Sequence, residues 1–193
     1  FAALGCTVVG HNRSVVDPPA GVEVVSPADL LARSDVVSLH VPAVAGAGPL
    51  IGATEPSELI ERVGHVDVLV ANLDLPAYGA RLADIDDARW VEGFDAMVHP
   101  LMRLVRAASR QMVERGSGSI VAITSSSPLR RMTPHAISYV AARAAQNAFV
   151  RSAGHELAAH GVRLNAIAQN FVENDTYYPP SIMENERFRD RLR

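Results

Sequence analysis

The chain has 193 residues, 48% hydrophobic and 20% charged, with a net charge of -3. That is enough apolar material for one substantial core, the charge balance leaves no basic footprint for nucleic acid, and no stretch approaches the roughly 18 apolar residues of a membrane span or reads as a signal peptide. A single cysteine, Cys6, excludes an internal disulfide; it reads as a small buried residue and points to a cytosolic protein.

Phe1 to Gly5 reads as a helix C-terminus with its glycine cap, and Cys6 to Gly10 as a strand. Val22 to Val25 is a second strand, followed by a short helix whose N-cap is Ser26 with Pro27 at the first helical position. Asp35 to Pro42 reads as a buried strand, Glu55 to Val63 as a helix, Val66 to Ala71 as a strand and roughly Asp86 to Glu114 as a long helix. A fully buried strand over Ser119 to Thr124, a helix from Tyr139 to about His160 and a strand over Val162 to Ala168 complete the alternation. Phe188 to Arg193 starts an amphipathic helix. The pattern is that of an α/β domain: a Rossmann-like doubly wound parallel sheet in three α/β/α layers, one domain over residues 1–193. A strand and glycine turn are expected before the first helix and a strand after the last, so the fold reads as truncated at both ends.

The Ser119–Thr124 strand runs into Ser125-Ser126-Ser127-Pro128, and Tyr139 follows Ser125 by fourteen residues with Arg143 four further on. Residues four apart share a helix face, so a guanidinium there stands beside the phenol and can stabilise a tyrosinate. In isolation the spacing suits a surface Tyr and a solvated Arg equally well. A hydroxyl at the C-terminal edge of a parallel strand, where open α/β sheets hold their ligands, adds a hydrogen-bond donor to the proton acceptor.

With Ser125, Tyr139 and Arg143 so placed, the chain resembles the short-chain dehydrogenase/reductase superfamily, whose working residues are a strand-end Ser and a Tyr-x-x-x-Lys helix. Arg143 in place of Lys is the mark of one branch, the halohydrin dehalogenases. Further matches are Val66–Asn72, Val98–Leu101, Asn165–Val172 and Thr176–Pro179. Where the superfamily has an Asn-Ala-Gly turn this chain has Asn72-Leu73-Asp74, His99 replaces an Asn, and Gln169-Asn170 replaces a Pro-Gly turn that borders the nicotinamide. The resemblance implies dehalogenation of vicinal haloalcohols to epoxides without a cofactor, and epoxide opening by small anions in reverse. Ser125 would donate to the substrate oxygen, Tyr139 would remove its proton, and Arg143 would support the tyrosinate. Gln169, Asn170, Phe171 and Val172 would bind the halide, with Leu75, Pro76, Tyr78, Ser127, Pro128, Tyr177 and Tyr178 forming a dry substrate pocket. The alternatives are an NAD(P)-dependent reductase of a small alcohol or carbonyl compound, and an inactive fragment or binding module. A homotetramer is implied by the same resemblance.

Superfamily spacing selects Ser126, whereas the Ile-Thr-Ser strand ending selects Ser125; choosing Ser125 places a one-residue insertion in Arg130 to His135. Residues 1–53 look like the cofactor domain of D-2-hydroxyacid dehydrogenases, in which Arg13 would favour a 2′-phosphate, and residues 54–193 form the catalytic part. Gly46 to Gly52 mimics a phosphate loop, but Pro49 removes one N–H from the cradle, which favours a plain loop. His155 and His160, five apart, are poorly spaced for one metal, so no metal site is expected. His99-Pro100 inside a helix pattern reads as a kink, the other reading being a shaped pocket floor.

Overall fold

The computed structural model describes residues 7–10, 17–26, 29–30, 33, 36–41, 55–75, 80–130, 135–173 and 178–192. Phe1 to Gly5, Cys6, Arg13, Pro27, the Gly46 to Gly52 loop and most of the proposed insertion (131–134) lie outside the described residues. Parallel strands β1 (Val8–Gly10) and β2 (Val22–Val24) pair with each other. Strands β3 (Val36–Val41), β4 (Val68–Leu73), β5 (Gly118–Ser125) and β6 (Val162–Gln169) form a four-stranded parallel sheet in that order. Thus the Rossmann-like α/β class is observed, with the described strands divided between two sheets.

Helices α1 (Glu55–Val63), α2 (Asp87–Arg115) and α3 (Ile137–Ala158) connect successive strands of the larger sheet. Crossovers of one hand to neighbours in one direction place all three helices on the same face. Leu69, Ala71, Leu73, Ile120, Ala122 and Leu164 are buried against that layer together with Leu101, Leu104, Met112 and Val150. Along β5 burial alternates, so the expectation of a strand buried on both faces is corrected: Val121 and Ile123 on the other face are half-buried and Ile167 of β6 is exposed. The described helices that touch this sheet supply one cover, not two. The β4 strand also starts and ends two residues later than its apolar run suggests, because its ladder with β3 continues through Leu73.

Local chemistry fixes the element ends. Ser26 Oγ accepts from Asp29 N at 3.1 Å and donates to Asp29 Oδ2 at 2.7 Å, closing the helical turn expected there. Asp86 caps α2 by accepting from Arg89 N at 2.7 Å, and Gly116, left-handed at φ 72°, ends it with Ser117 N donating to Met112 O. Pro100 lies inside α2 and is buried, and the helix continues through it. Gly93 of α2 lets α3 approach: a Cβ there would stand 3.4 Å from Ser138 O and 3.8 Å from Ala142 Cβ. Two short helices, α4 (Pro180–Met183) and α5 (Glu186–Leu192), follow β6.

Gly161 turns α3 into β6 with φ 74°, and a Cβ on it would overlap the carbonyl oxygen of Gly116. Gly161→Ala is expected to destabilise the fold by about 2–4 kcal/mol, combining left-handed strain with backbone displacement. Urea unfolding followed by circular dichroism checks this, with Gly64→Ala as the comparison, since Gly64 has a similar φ and open space around its Cβ position.

Candidate active site

The chemistry-bearing residues meet where β4, β5 and β6 end. Ser125 closes the β5 ladder opposite Gln169, and Ser126 N donates to Gln169 O at 2.9 Å. Ser125 is only 5% exposed, and its carbonyl accepts from Asn147 Nδ2 at 3.0 Å, tying the strand end to α3. Its hydroxyl oxygen accepts from Ser127 N at 3.1 Å and donates to Ser127 Oγ at 3.1 Å. Ser126 has turned into the next segment, where its carbonyl accepts from Leu129 N and Arg130 N. These bonds fix the Ser125 hydroxyl at the strand edge; both serines are buried.

Helix α3 presents Arg143, Gln146 and Asn147 inward, spaced so that they share one face. The Arg143 guanidinium is 2% exposed and is solvated by protein: Nη1 donates to Leu73 O at 3.0 Å, Ile123 O at 3.3 Å and Gln146 Oε1 at 2.9 Å. Its Nη2 meets the carboxylate of Asp74 at 2.5 Å. Gln146 Nε2 in turn donates to Met97 O at 2.8 Å, which links the set to α2. Tyr139, one turn before Arg143, is half-buried, and the guanidinium carbon lies 5.1 Å from its ring centroid. That is cation–π range, with the charge beside the phenol.

A narrow cleft leads away from Tyr139 along Leu75, Ala80, Ile85, Ile137 and Ser138 to Arg89, Glu92 and His135. His135 takes a left-handed φ of 63°, and its carbonyl accepts from Ala80 N at 2.8 Å, joining the loops on either side of the opening. Residues 80–92 of this wall carry no catalytic motif, and sequence reasoning missed them; the left-handed His135 has no sequence signature. Among the expected pocket residues, Leu75 lines this cleft, Ser127 and Pro128 are half-buried in the turn after β5, and Tyr178 is half-buried. Burial first, and the charge of the Tyr139 phenol second, push the Tyr178 phenol above its ordinary range. Pro76, Tyr78 and Tyr177 lie outside the described residues.

Of the expected halide residues, Gln169, Asn170 and Val172 are exposed. Phe171 is half-buried against Tyr178 and Phe188 at centroid distances of 5.0 and 4.8 Å. Beyond Gln169 the ladder with β5 stops. His99 pairs with Asp95 at 2.8 Å on α2 and is not among the residues lining the cleft. Among the described residues no three His, Cys, Asp or Glu side chains stand close enough to hold a metal ion, and no helix is long and apolar enough to cross a membrane.

Three buried polar atoms beside the β5 end have no protein partner: Thr124 Oγ1, Arg143 Nε and Asn147 Oδ1. Buried polar groups normally find partners, so a strand edge with spare donors and acceptors suits a ligand rich in hydroxyl or amide groups. The ribose and carboxamide of a nicotinamide fit that description.

A family model described as short chain dehydrogenase matches residues 56–182. A putative ketoacyl reductase of Streptomyces coelicolor is 34% identical over 117 residues, covering 60% of this chain and 44% of its own length. A protein of Mycobacterium tuberculosis named an uncharacterized NAD-dependent oxidoreductase is 27% identical over 125 residues, covering 65% of this chain and 45% of its own. The chain therefore spans less than half the length of these curated relatives. Among solved structures, a dehalogenation enzyme superposes with a TM-score of 0.66 at 28% identity, covering 99% of this chain and 72% of its own. A halohydrin dehalogenase bound to ethyl (2S)-oxiran-2-ylacetate gives 0.65 at 30%, covering 72% and 58%. An actinorhodin polyketide ketoreductase with NADPH gives 0.58 at 32%, covering 63% and 48%.

The relatives named as NAD-dependent and the neighbour holding NADPH overturn the expectation of a site without a cofactor. That expectation rested on Arg143 in place of Lys and on the altered Asn-Ala-Gly and Pro-Gly turns, and those turns are only part of a dinucleotide surface. The likeness of residues 1–53 to D-2-hydroxyacid dehydrogenases is likewise unsupported: the dehalogenation enzyme, which superposes over 99% of the chain, runs through those residues as well.

Ser125→Ala is expected to lower turnover about ten- to hundredfold, the worth of a hydrogen bond to an oxygen that gains charge. Ser126→Ala is expected to cost less, because the described bonds of Ser126 are made by its backbone. Steady-state rates of the two variants check the order; the reverse order would make Ser126 the donor.

Proposed function

The chain belongs to the short chain dehydrogenase family, and from that membership we propose that it is a nicotinamide-dependent oxidoreductase interconverting a small alcohol and its carbonyl compound. The observation that carries this reading is the fixed Ser125, Tyr139 and Arg143 arrangement at the strand edge, supported by relatives named as reductases and NAD-dependent oxidoreductases. Arg143 Nε–H, Thr124 Oγ1 and Asn147 Oδ1 are the groups that would meet the nicotinamide end of the cofactor. When bound, the nicotinamide supplies or accepts the hydride at the substrate carbon.

The protein's own residues handle the oxygen. In the reducing direction Tyr139 gives its proton to the carbonyl oxygen as negative charge develops there, while Ser125 Oγ turns its hydrogen from Ser127 to the same oxygen. Arg143, permanently charged and held by four acceptors, offsets the charge left on the phenol oxygen. In the oxidising direction the same proton returns to Tyr139. Leu75, Ile85 and Ile137 restrict water beside the reacting carbon and favour a substrate with a short apolar stem. The exposed Trp90 and Val91 on α2 support a helix-pair contact between copies, as in the expected homotetramer.

A second reading, haloalcohol dehalogenation, is favoured by Arg143 in place of Lys and by the two dehalogenase structures. Here Tyr139 takes the hydroxyl proton, the alkoxide oxygen forms a bond to the adjacent carbon, and the carbon–halogen bond breaks to release halide. Gln169 to Val172 would border the leaving halide in this reading.

The two reactions share a base and differ in product. Oxidation of NADH or NADPH with a panel of small carbonyl compounds, run beside halide release from short vicinal haloalcohols, is expected to show carbonyl-dependent nicotinamide oxidation. Tyr139→Phe is expected to lower it by at least about 100-fold. Halide release that is lost in Tyr139→Phe, without carbonyl-dependent oxidation, would replace the first reading by the second.

A further inference from the structure

Helix α5 has the sequence Glu186-Arg187-Phe188-Arg189-Asp190-Arg191-Leu192, with five charged residues among its seven. A helix this short is unstable by itself and must be held by packing and caps. Asn185 supplies a cap, with its side-chain oxygen and backbone oxygen accepting from Phe188 N at 3.3 and 3.0 Å. The packing comes from Phe188, whose half-buried ring meets Phe171 at 4.8 Å edge-on and Tyr178 at 5.7 Å. Phe171 and Tyr178 close the triangle at 5.0 Å, also edge-on. Aromatic groups at these separations and tilts attract beyond their area of contact.

This triangle ties three segments together. Phe171 is two residues past Gln169, whose backbone is laddered to Ser125, so one corner is fixed to the strand edge. Tyr178 packs on Phe171, two residues past that edge, and Phe188 of α5 packs on both rings. We propose that Phe188 is a positioning residue: through its ring packing on Phe171 and Tyr178 it holds the Tyr178 ring as one wall of the site next to the strand edge that carries Ser125, against the apolar part of a small substrate. The substrate half of this inference rests on the oxidoreductase reading; the placement of Tyr178 does not.

The test therefore carries two readouts. Phe188→Ala removes the ring and is expected to raise KM about three- to tenfold with kcat little changed, the size of effect that such ring pairs produce. Phe188→Tyr keeps the ring and is expected to restore KM. Independently, alkaline titration of phenolate absorbance, with Tyr178→Phe identifying the Tyr178 step, is expected to move Tyr178 down toward the ordinary tyrosine range in Phe188→Ala, because its burial is lost. Among the described residues the Tyr139 phenol is the titratable group acting on Tyr178. If Phe188→Ala does not fold, Phe188→Leu is read in the same way. An unmoved Tyr178 titration overturns the inference whatever the kinetics. A moved titration in an enzyme that turns over neither carbonyl compounds nor haloalcohols supports the positioning role and removes the oxidoreductase reading instead. A moved titration with unchanged KM overturns the substrate-wall role.

Discussion

A guanidinium that is 2% exposed cannot draw on water, so the protein must solvate it, and the organisation of the strand edge follows from how it does so. Arg143 reaches from α3 to the carbonyls of Leu73 in β4 and Ile123 in β5 and to the carboxylate of Asp74. Leu73 and Asp74 stand at the end of β4 and Ile123 near the end of β5, and Gln146 completes the set from the same helix. An ammonium offers three donors from one point, whereas the planar guanidinium spreads five, which is why an Arg can brace two strands and a carboxylate together. Asp74 is about half exposed on its side chain, so the pair is anchored at a buried end and open at the other. Removing the cation would take a donor from two strand carbonyls and the partner from Asp74, at a cost of about 1–3 kcal/mol for any group left buried and unpaired.

Tyr139 inherits its place from this anchor, since it stands one helical turn before Arg143 with the guanidinium 5.1 Å from its ring. Ser125 inherits its own from the β5–β6 ladder and from Asn147, one turn after Arg143. The site is therefore two fixed surfaces, a strand end and a helix face, joined through one buried cation. In the proposed reaction, preorganisation of this kind leaves only the Ser125 hydroxyl hydrogen to turn before a proton donor and a hydrogen-bond donor act on one oxygen.

Much of this is readable from residue order because the signals are local. The spacing of Tyr139 and Arg143 places them on one helix face, the helix over Glu55–Val63 follows from its own periodicity, and the apolar run before Ser125 marks the strand. What the sequence hides is set by partners distant in the chain. The acceptors of Arg143 lie 69 and 70 residues away in Asp74 and Leu73, and nothing local in either announces a contact. The half-covered second face of β5 depends on which helices pack there, which an apolar run does not encode. The aromatic triangle joins a strand exit to a short helix that its charges alone would mark as solvent-exposed, so Phe188 reads as an isolated apolar residue until the chain is folded. Inference from two altered turns to the absence of a cofactor failed for a related reason: a dinucleotide touches many segments, and losing two familiar ones does not remove the rest.

In the proposed reading, the Arg143 anchor organises a nicotinamide-dependent proton-transfer site. Nicotinamide fluorescence on titrating NADH and NADPH into the protein, compared between wild type and a folded Arg143→Met variant, tests it most directly. The account predicts saturable binding to wild type, with loss of at least about tenfold in affinity when the buried cation and its unpartnered Nε–H are removed. Wild-type protein that binds neither dinucleotide, or a variant that binds equally well, would contradict it.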